Sequence, residues 1–245
     1  IYTLSLHDAL PISIVAAGVP IDAAHFPDTA FIVFVREHDT NSDDILSPEE
    51  IEAAKSMIVK PDFGAKNLKG IEYFTYLETL VCSNLELTSL DLSGNKKLTS
   101  LHCANNLLTS LDLSENTELK TLHCENNNAL TSLNVSRNTK LETLNCTNNP
   151  LTTLDVSKNT ALKELYCQKN RLTFLDLGGL DELVPASVDV GGQTRDGLKV
   201  RKIGSEYVVD LGEFLLSADR FGKVKALARS EEHTSELQSP IIISY

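Results

Sequence analysis

The sequence has no Trp and only one Met, and basic residues are scarce. There are 22 Lys and Arg against 34 Asp and Glu, a net charge of -12. No basic stripe offsets that charge, which argues against nucleic acid as a partner. No run of about 18 apolar residues occurs, so the chain carries no membrane-spanning helix and nothing predicts membrane insertion. Cysteine is sparse and odd in number, five in all, which rules out full pairing within the chain. At 245 residues the length allows one or two domains. What is abundant lies in the middle, where Leu, Asn, Thr and Ser dominate.

That middle is periodic. In the stretch from Leu98 to Glu118, apolar residues fall at positions 1, 4, 6, 11, 14 and 16, and the pattern then restarts. Copies begin at Leu77, Leu98, Leu119, Leu141 and Leu162, so the step is 21 residues, with one step of 22. A fixed period of this size predicts a solenoid whose coils bury their apolar edges against one another. From Leu98 on, the copies resemble leucine-rich repeats, following L-x-x-L-x-L-x-x-N through Asn106, Asn127, Asn149 and Asn170; the first copy has Leu85 where Asn is due. The Asn amide is expected to satisfy backbone groups at a turn where coils cannot pair. The second half, as in Leu108-Thr-Ser-Leu-Asp-Leu113, repeats the spacing, which predicts short strands on both sides of each coil, about 4.8 Å from the next. The extra residue in Asn126-Asn-Asn-Ala129 should bulge locally.

All five cysteines, Cys82, Cys103, Cys124, Cys146 and Cys167, share repeat position 6. They are expected to be buried apolar fillers, protonated and inert rather than nucleophiles or metal ligands. Two columns should face solvent on the first strand. One runs Thr79, Ser100, Thr121, Thr143, Glu164, and the other Val81, His102, His123, Asn145, Tyr166. Ser100, His102, Thr121, His123, Thr143, Asn145, Glu164 and Tyr166 form the candidate ligand face. His102 and His123 fall on adjacent rungs, but no third metal ligand accompanies them. A further column, Asp91, Asp112, Asn134, Asp155 and Asp176, stacks like charges; Ser two residues on at 93, 114 and 157 favours turn bonding as the compensation.

Ahead of the repeats, Phe26 to His38 predicts a helix begun by Asp28, with Phe31, Ile32, Phe34 and Val35 as its apolar stripe. Asp39 to Glu50 then fits the EF-hand calcium loop. Asp39, Asn41 and Asp43 supply oxygens at loop positions 1, 3 and 5, Ile45 its carbonyl at 7, Ser47 position 9 and Glu50 the carboxylate at 12. Position 6, normally Gly because the backbone there is left-handed, is Asp44. Asp tolerates that conformation at a cost of about 1 kcal/mol. The competing reading is a loop kept only for its shape, since Ser47-Pro-Glu-Glu50 is a good helix start without any metal. A second helix is expected from Pro48 to about Ile58, with Ile51, Ala54 and Met57 on one side, followed by a connector over 59–70. Residues 14–76 would then cap the first coil of the repeats at 77–182.

Over 183–228 the repeat spacing stops. Ala186 to Val190 and Leu198 to Ile203 read as strands, and Gly204-Ser205 as a turn into Glu206 to Leu211, making a hairpin. This piece would be a C-terminal β cap or the start of a further domain that continues through Leu215 to Leu227. The two ends, 1–13 and 229–245, resemble translated sequencing adapters. The likeness lies in Tyr2-Thr-Leu-Ser-Leu-His-Asp-Ala-Leu-Pro-Ile-Ser13 and Arg229-Ser-Glu-Glu-His-Thr-Ser-Glu-Leu-Gln-Ser239, and it implies an internal fragment of a longer reading frame.

Val19-Pro-Ile-Asp22, Phe26-Pro-Asp28, the Asp39-x-Asn-x-Asp43 loop, Lys69-Gly-Ile-Glu72 and the Leu-Thr-x-Leu-Asp-Leu-Ser repeats together resemble bacterial secreted or surface leucine-rich repeat proteins, distantly the internalins. The resemblance implies an α+β chain. A leucine-rich repeat solenoid of about five coils would lie between an EF-hand-like cap, with calcium as its possible cofactor, and a β-hairpin. It also implies export to the cell surface or beyond, and non-catalytic adhesion to a protein or surface glycan. Two alternatives stay open. The loop also resembles those of dockerins, which carry two copies where this chain has one. The chain could instead be the targeting region of a larger enzyme or effector, such as a leucine-rich ubiquitin ligase, although every Cys here is in phase with the core.

Overall fold

In the computed structural model the described residues are 18–172, then 175, 177, 179–183, 188, 189 and 193, and the strands 199–203 and 206–210. The two adapter-like ends, Asp176 and the segment from Leu215 to Leu227 lie outside them. The chain forms helix α1 (Thr29–Val35) and helix α2 (Pro48–Ala53). The strands are β1 (Val19–Pro20), β2 (Ile45–Leu46), β3 (Ser56–Ile58), β4 (Thr79–Val81), β5 (Ser100–His102), β6 (Thr121–His123), β7 (Thr143–Asn145), β8 (Glu164–Tyr166), β9 (Val188–Asp189), β10 (Lys199–Ile203) and β11 (Glu206–Asp210).

Strands β3 to β9 make one parallel sheet in sequence order, and consecutive copies of the repeat fall into register, Leu80 beside Leu101, Leu122, Leu144 and Leu165. The leucines at repeat positions 1, 4 and 11 are buried in every described coil, and all five cysteines are fully buried at position 6. Burial of a Leu side chain contributes about 1.5–3 kcal/mol, so stacking alone accounts for a large favourable term.

Two ladders of buried asparagines stitch the coils. In the expected one, Asn127 donates from Nδ2 to the carbonyls of Cys103 (3.2 Å) and Cys124 (3.0 Å), and its Oδ1 accepts from the Leu108 amide at 3.1 Å. Asn106, Asn149 and Asn170 repeat the pattern. The other ladder, Asn95, Asn116, Asn138 and Asn159, was not read from the sequence. Each of its amides donates across to the preceding coil, as Asn116 does to the carbonyls of Leu92 (3.0 Å) and Asn95 (2.9 Å). Its four Oδ1 atoms are buried with no hydrogen-bond partner.

Three expectations change. The helix expected to run to about Ile58 stops at Ala53, and Ser56–Ile58 is a strand of the sheet instead. The first repeat strand would otherwise leave an unpaired edge; Lys55 O takes the amides of Glu78 and Thr79 at 2.8 and 3.0 Å, and Met57 is buried beside Leu80. Strands form on one side of each coil only, among the described residues. In the back half Thr109 and Ser110 are both exposed between buried Leu108 and Leu111, and two outward residues in succession break the strand's alternation. Finally, the sheet runs past the last recognisable repeat to Val188–Asp189. Gln193 does there what Asn does earlier, accepting from the Leu172 amide (3.0 Å) and donating to the Cys167 carbonyl (2.9 Å). The step from Asn170 is longer and the residue type differs, so the spacing did not reveal it. The expected hairpin is present, with Ile203 paired to Glu206.

The cap is locked to the first coil. Asn95 donates to the carbonyls of Ile71 (2.9 Å) and Phe74 (3.0 Å). A Cβ on Gly94 would collide with the Glu72 carbonyl, whereas the equivalent coils carry Glu115, Arg137 and Lys158. Asp28 begins α1 through its Oδ1, and its Oδ2 accepts from the amides of Lys66 (2.9 Å) and Asn67 (3.0 Å), so one carboxylate fixes both helix and connector.

Replacing Asn127 with Ala leaves the buried Leu108 amide unpaired, at roughly 1–3 kcal/mol, and takes one of two hydrogen bonds from each of the Cys103 and Cys124 carbonyls, which Asn106 and Asn149 still reach. Urea denaturation should therefore show N127A destabilised by about 1–3 kcal/mol, against no more than about 0.5 kcal/mol for the exposed T109A. Equal midpoints for the two variants would contradict the ladder's role.

Candidate functional site

The sheet face presents the side chains at repeat positions 3 and 5, and register brings the candidate ligand residues together. Ser100, Thr121, Thr143 and Glu164 align in one column, and His102, His123, Asn145 and Tyr166 in the next. All eight are half-buried while the leucine between each pair is fully buried, as strand alternation dictates. The two columns continue to Ser56 and Ile58 at one end, and the second reaches Asp189 at the other.

His102 and His123 stack, with ring centroids 4.6 Å apart and planes 10° from parallel. His102 Nε2 and Ser100 Oγ share a hydrogen bond of 3.2 Å. Burial and the adjacent His123 push the His102 imidazole below its ordinary range, with Glu125 pulling the other way. Glu125 was missed in the sequence because it lies one residue beyond Cys124, outside both columns. Its Oε2 is buried with no hydrogen-bond partner, 3.8 Å from His123 Nδ1. Further along, Glu164 accepts from Thr143 Oγ1 at 3.4 Å, and Thr147 Oγ1 donates to Gln168 at 2.8 Å. Beside the face, Asn84, Asn105, Asn126, Asn148 and Lys169 all have left-handed backbone. Asn148 donates to Asn126 at 2.7 Å and Asn126 to Asn105 at 2.8 Å, an exposed amide ladder that Asn's tolerance of that conformation makes possible.

The thiols are not part of any exposed site. Burial pushes Cys103 and Cys146 up to about 12 and the other three well above their ordinary value, so all five stay protonated. The Asp91, Asp112, Asn134 and Asp155 column caps turns: each accepts the amide two residues on at 2.9–3.0 Å.

The 39–50 loop is compact. Asp44 at loop position 6 is left-handed (φ 59), and its side chain takes Arg36 Nε at 2.9 Å. Asp39 accepts the amides of Asp43 (3.3 Å) and Asp44 (2.9 Å), Asn41 that of Asp43 (3.0 Å), and Asp43 that of Ile45 (2.9 Å). Ile45 and Leu46 pair with Pro20 and Val19. Ser47 starts α2 in a reciprocal capping box with Glu50. Burial pushes the Glu50 carboxyl up, but hydrogen bonds from Thr40 and Ser47 outweigh it and hold the group at about 2. The oxygen set and the turn suit calcium in kind. Glu50, however, is turned onto Thr40 (2.6 and 2.7 Å) and Ser47 (2.9 and 3.0 Å), and among the described residues no three His, Cys, Asp or Glu side chains converge as a metal cluster.

A lowered imidazole pKa means the unfolded chain takes up protons first, so stability falls as pH drops through about 6.5. Two-dimensional NMR should find the His102 midpoint below 6.5, moving upward in H123A. A midpoint unmoved by H123A would assign the shift to burial alone.

No protein-family profile matches the sequence, and no curated protein does. Solved structures do match. Internalin InlF of Listeria monocytogenes is 28% identical with a TM-score of 0.57, over 68% of this chain and 50% of that one. Internalin C2 of the same organism is 21% identical with a TM-score of 0.55, over 68% of this chain and 76% of that one. InlJ of L. monocytogenes, whose functional domain includes a cysteine ladder, is 29% identical with a TM-score of 0.43, over 72% of this chain and 48% of that one. The chain thus spans about half the length of the InlF and InlJ structures. It is a leucine-rich repeat solenoid, similar in fold to internalins.

Proposed function

We propose that this chain is the non-catalytic binding region of an exported bacterial leucine-rich repeat protein, and that it adheres to a protein or surface glycan through the sheet face. The observation that carries the reading is the in-register face itself. Adjacent rungs present Ser, Thr, His, Asn and Tyr side chains, half-buried and held by a rigid sheet, where binding groups need little ordering. Likeness in fold to InlF supports an extracellular setting, and five buried, protonated thiols support a role without chemistry.

The test is a panel of immobilised extracellular proteins and glycans probed with native and variant chain. H102A and Y166A on the sheet face should lose the signal, whereas T109A and T131A on the back should keep it. Loss through the back variants, or none through the face variants, would sink the reading.

We also propose that calcium in the 39–50 loop steadies the cap, with Asp39, Asn41, Asp43, Ile45, Ser47 and Glu50 as its oxygen donors. The left-handed Asp44 and the inward oxygens of Asp39, Asn41 and Asp43 support this reading. Calcium should raise the melting temperature and D39A should abolish the rise; identical melts in calcium and in chelator would remove the metal.

A further inference from the structure

We infer that the partner engaged by the sheet face is an extended protein segment carrying Lys or Arg side chains, which seat over Glu125 and Glu164. The inference rests on the proposed role of the face as the binding surface and names the chemistry of what it holds. Three observations carry it. From Thr79 to Gln168, the outward positions of the five repeat strands and the residue beyond each Cys include no Lys or Arg and two Glu, 125 and 164. The face is therefore acidic in a chain already at -12. Next, neither of these two carboxylates is paired with a Lys or Arg of the chain among the described residues. Glu125 Oε2 is buried without a hydrogen-bond partner and has only the His123 ring nearby, while Glu164 receives one long hydrogen bond from Thr143. At the margins of the sheet Lys163 is paired with Glu142 at 2.6 Å and Lys140 with Glu118, while Lys120 and Lys169 carry no ion pair among the described residues. Lastly, the flat stacked rings of His102 and His123 lie next to Glu125. They offer an apolar ledge for the methylene stem of a long basic side chain whose head reaches the carboxylate.

A charge left partly desolvated and unpaired is costly, and a cation brought by a partner relieves it. A neutral glycan brings no cation, so the face favours a basic protein segment over a neutral sugar. A partner of this kind would also be drawn in by the field of the whole acidic chain, with an association rate that falls with salt.

The experiment is fluorescence anisotropy with labelled alternating peptides of Thr with Lys, Arg, Gln or Glu, added to the full chain. The Lys and Arg peptides should bind at least about tenfold tighter than the Gln peptide, and the Glu peptide should not saturate. E125Q and E164Q should each weaken the basic peptides by about tenfold or less, with a shallower salt dependence, while E118Q leaves affinity unchanged. Thermal melts of each variant separate lost binding from lost folding, and the half-buried Glu164 gives a reading if E125Q unfolds. Equal affinity for Gln or Glu peptides, no binding of any peptide, or equal loss with E118Q would overturn the basic partner. The panel result with H102A and Y166A reports separately on the face as a binding surface.

Discussion

The whole structure depends on asparagine amides that replace missing backbone pairing. Where a coil leaves the sheet and turns, its carbonyls have no strand to bond. Asn106, Asn127, Asn149 and Asn170 reach across to satisfy the carbonyls of their own coil and of the one before. Without such bonds each turn would bury unpaired polar groups, and leucine stacking would be opposed at every step. Gln193 extends the same device one rung further with a longer side chain.

The back ladder shows the limit of that economy. Asn95, Asn116, Asn138 and Asn159 donate fully while their Oδ1 atoms stay unpaired. An unsatisfied carbonyl is more tolerable than an unsatisfied amide hydrogen, which fits a ladder that serves donors first. Asn95 also extends the scheme into the cap, so cap and solenoid share one system of bonds.

Because the scaffold consumes the cysteines, most of the asparagines and the turn carboxylates, few groups of the described residues are left for binding. What remains is a narrow strip on the sheet: hydroxyls, two stacked imidazoles, an amide, a phenol and two carboxylates. A strip held by seven parallel strands loses little entropy on engagement, which suits the proposed binding role.

By itself the sequence determined the repeat phase, and with it the inward leucines, the buried thiols, the first Asn ladder and the two outward columns of the sheet. Periodicity encodes which side a residue faces. Other features were decided only by tertiary structure, because they are contacts between residues of different repeats or outside any repeat. Ser56–Ile58 has modest strand character alone and becomes a strand because the sheet edge needs a partner. Val188 and Gln193 join by geometry at an irregular spacing. The coils' back halves have the leucine spacing of a strand, yet paired outward residues and Asx turns keep them irregular. Glu125 became part of the face only when folding tucked one of its oxygens, unpaired, beside His123.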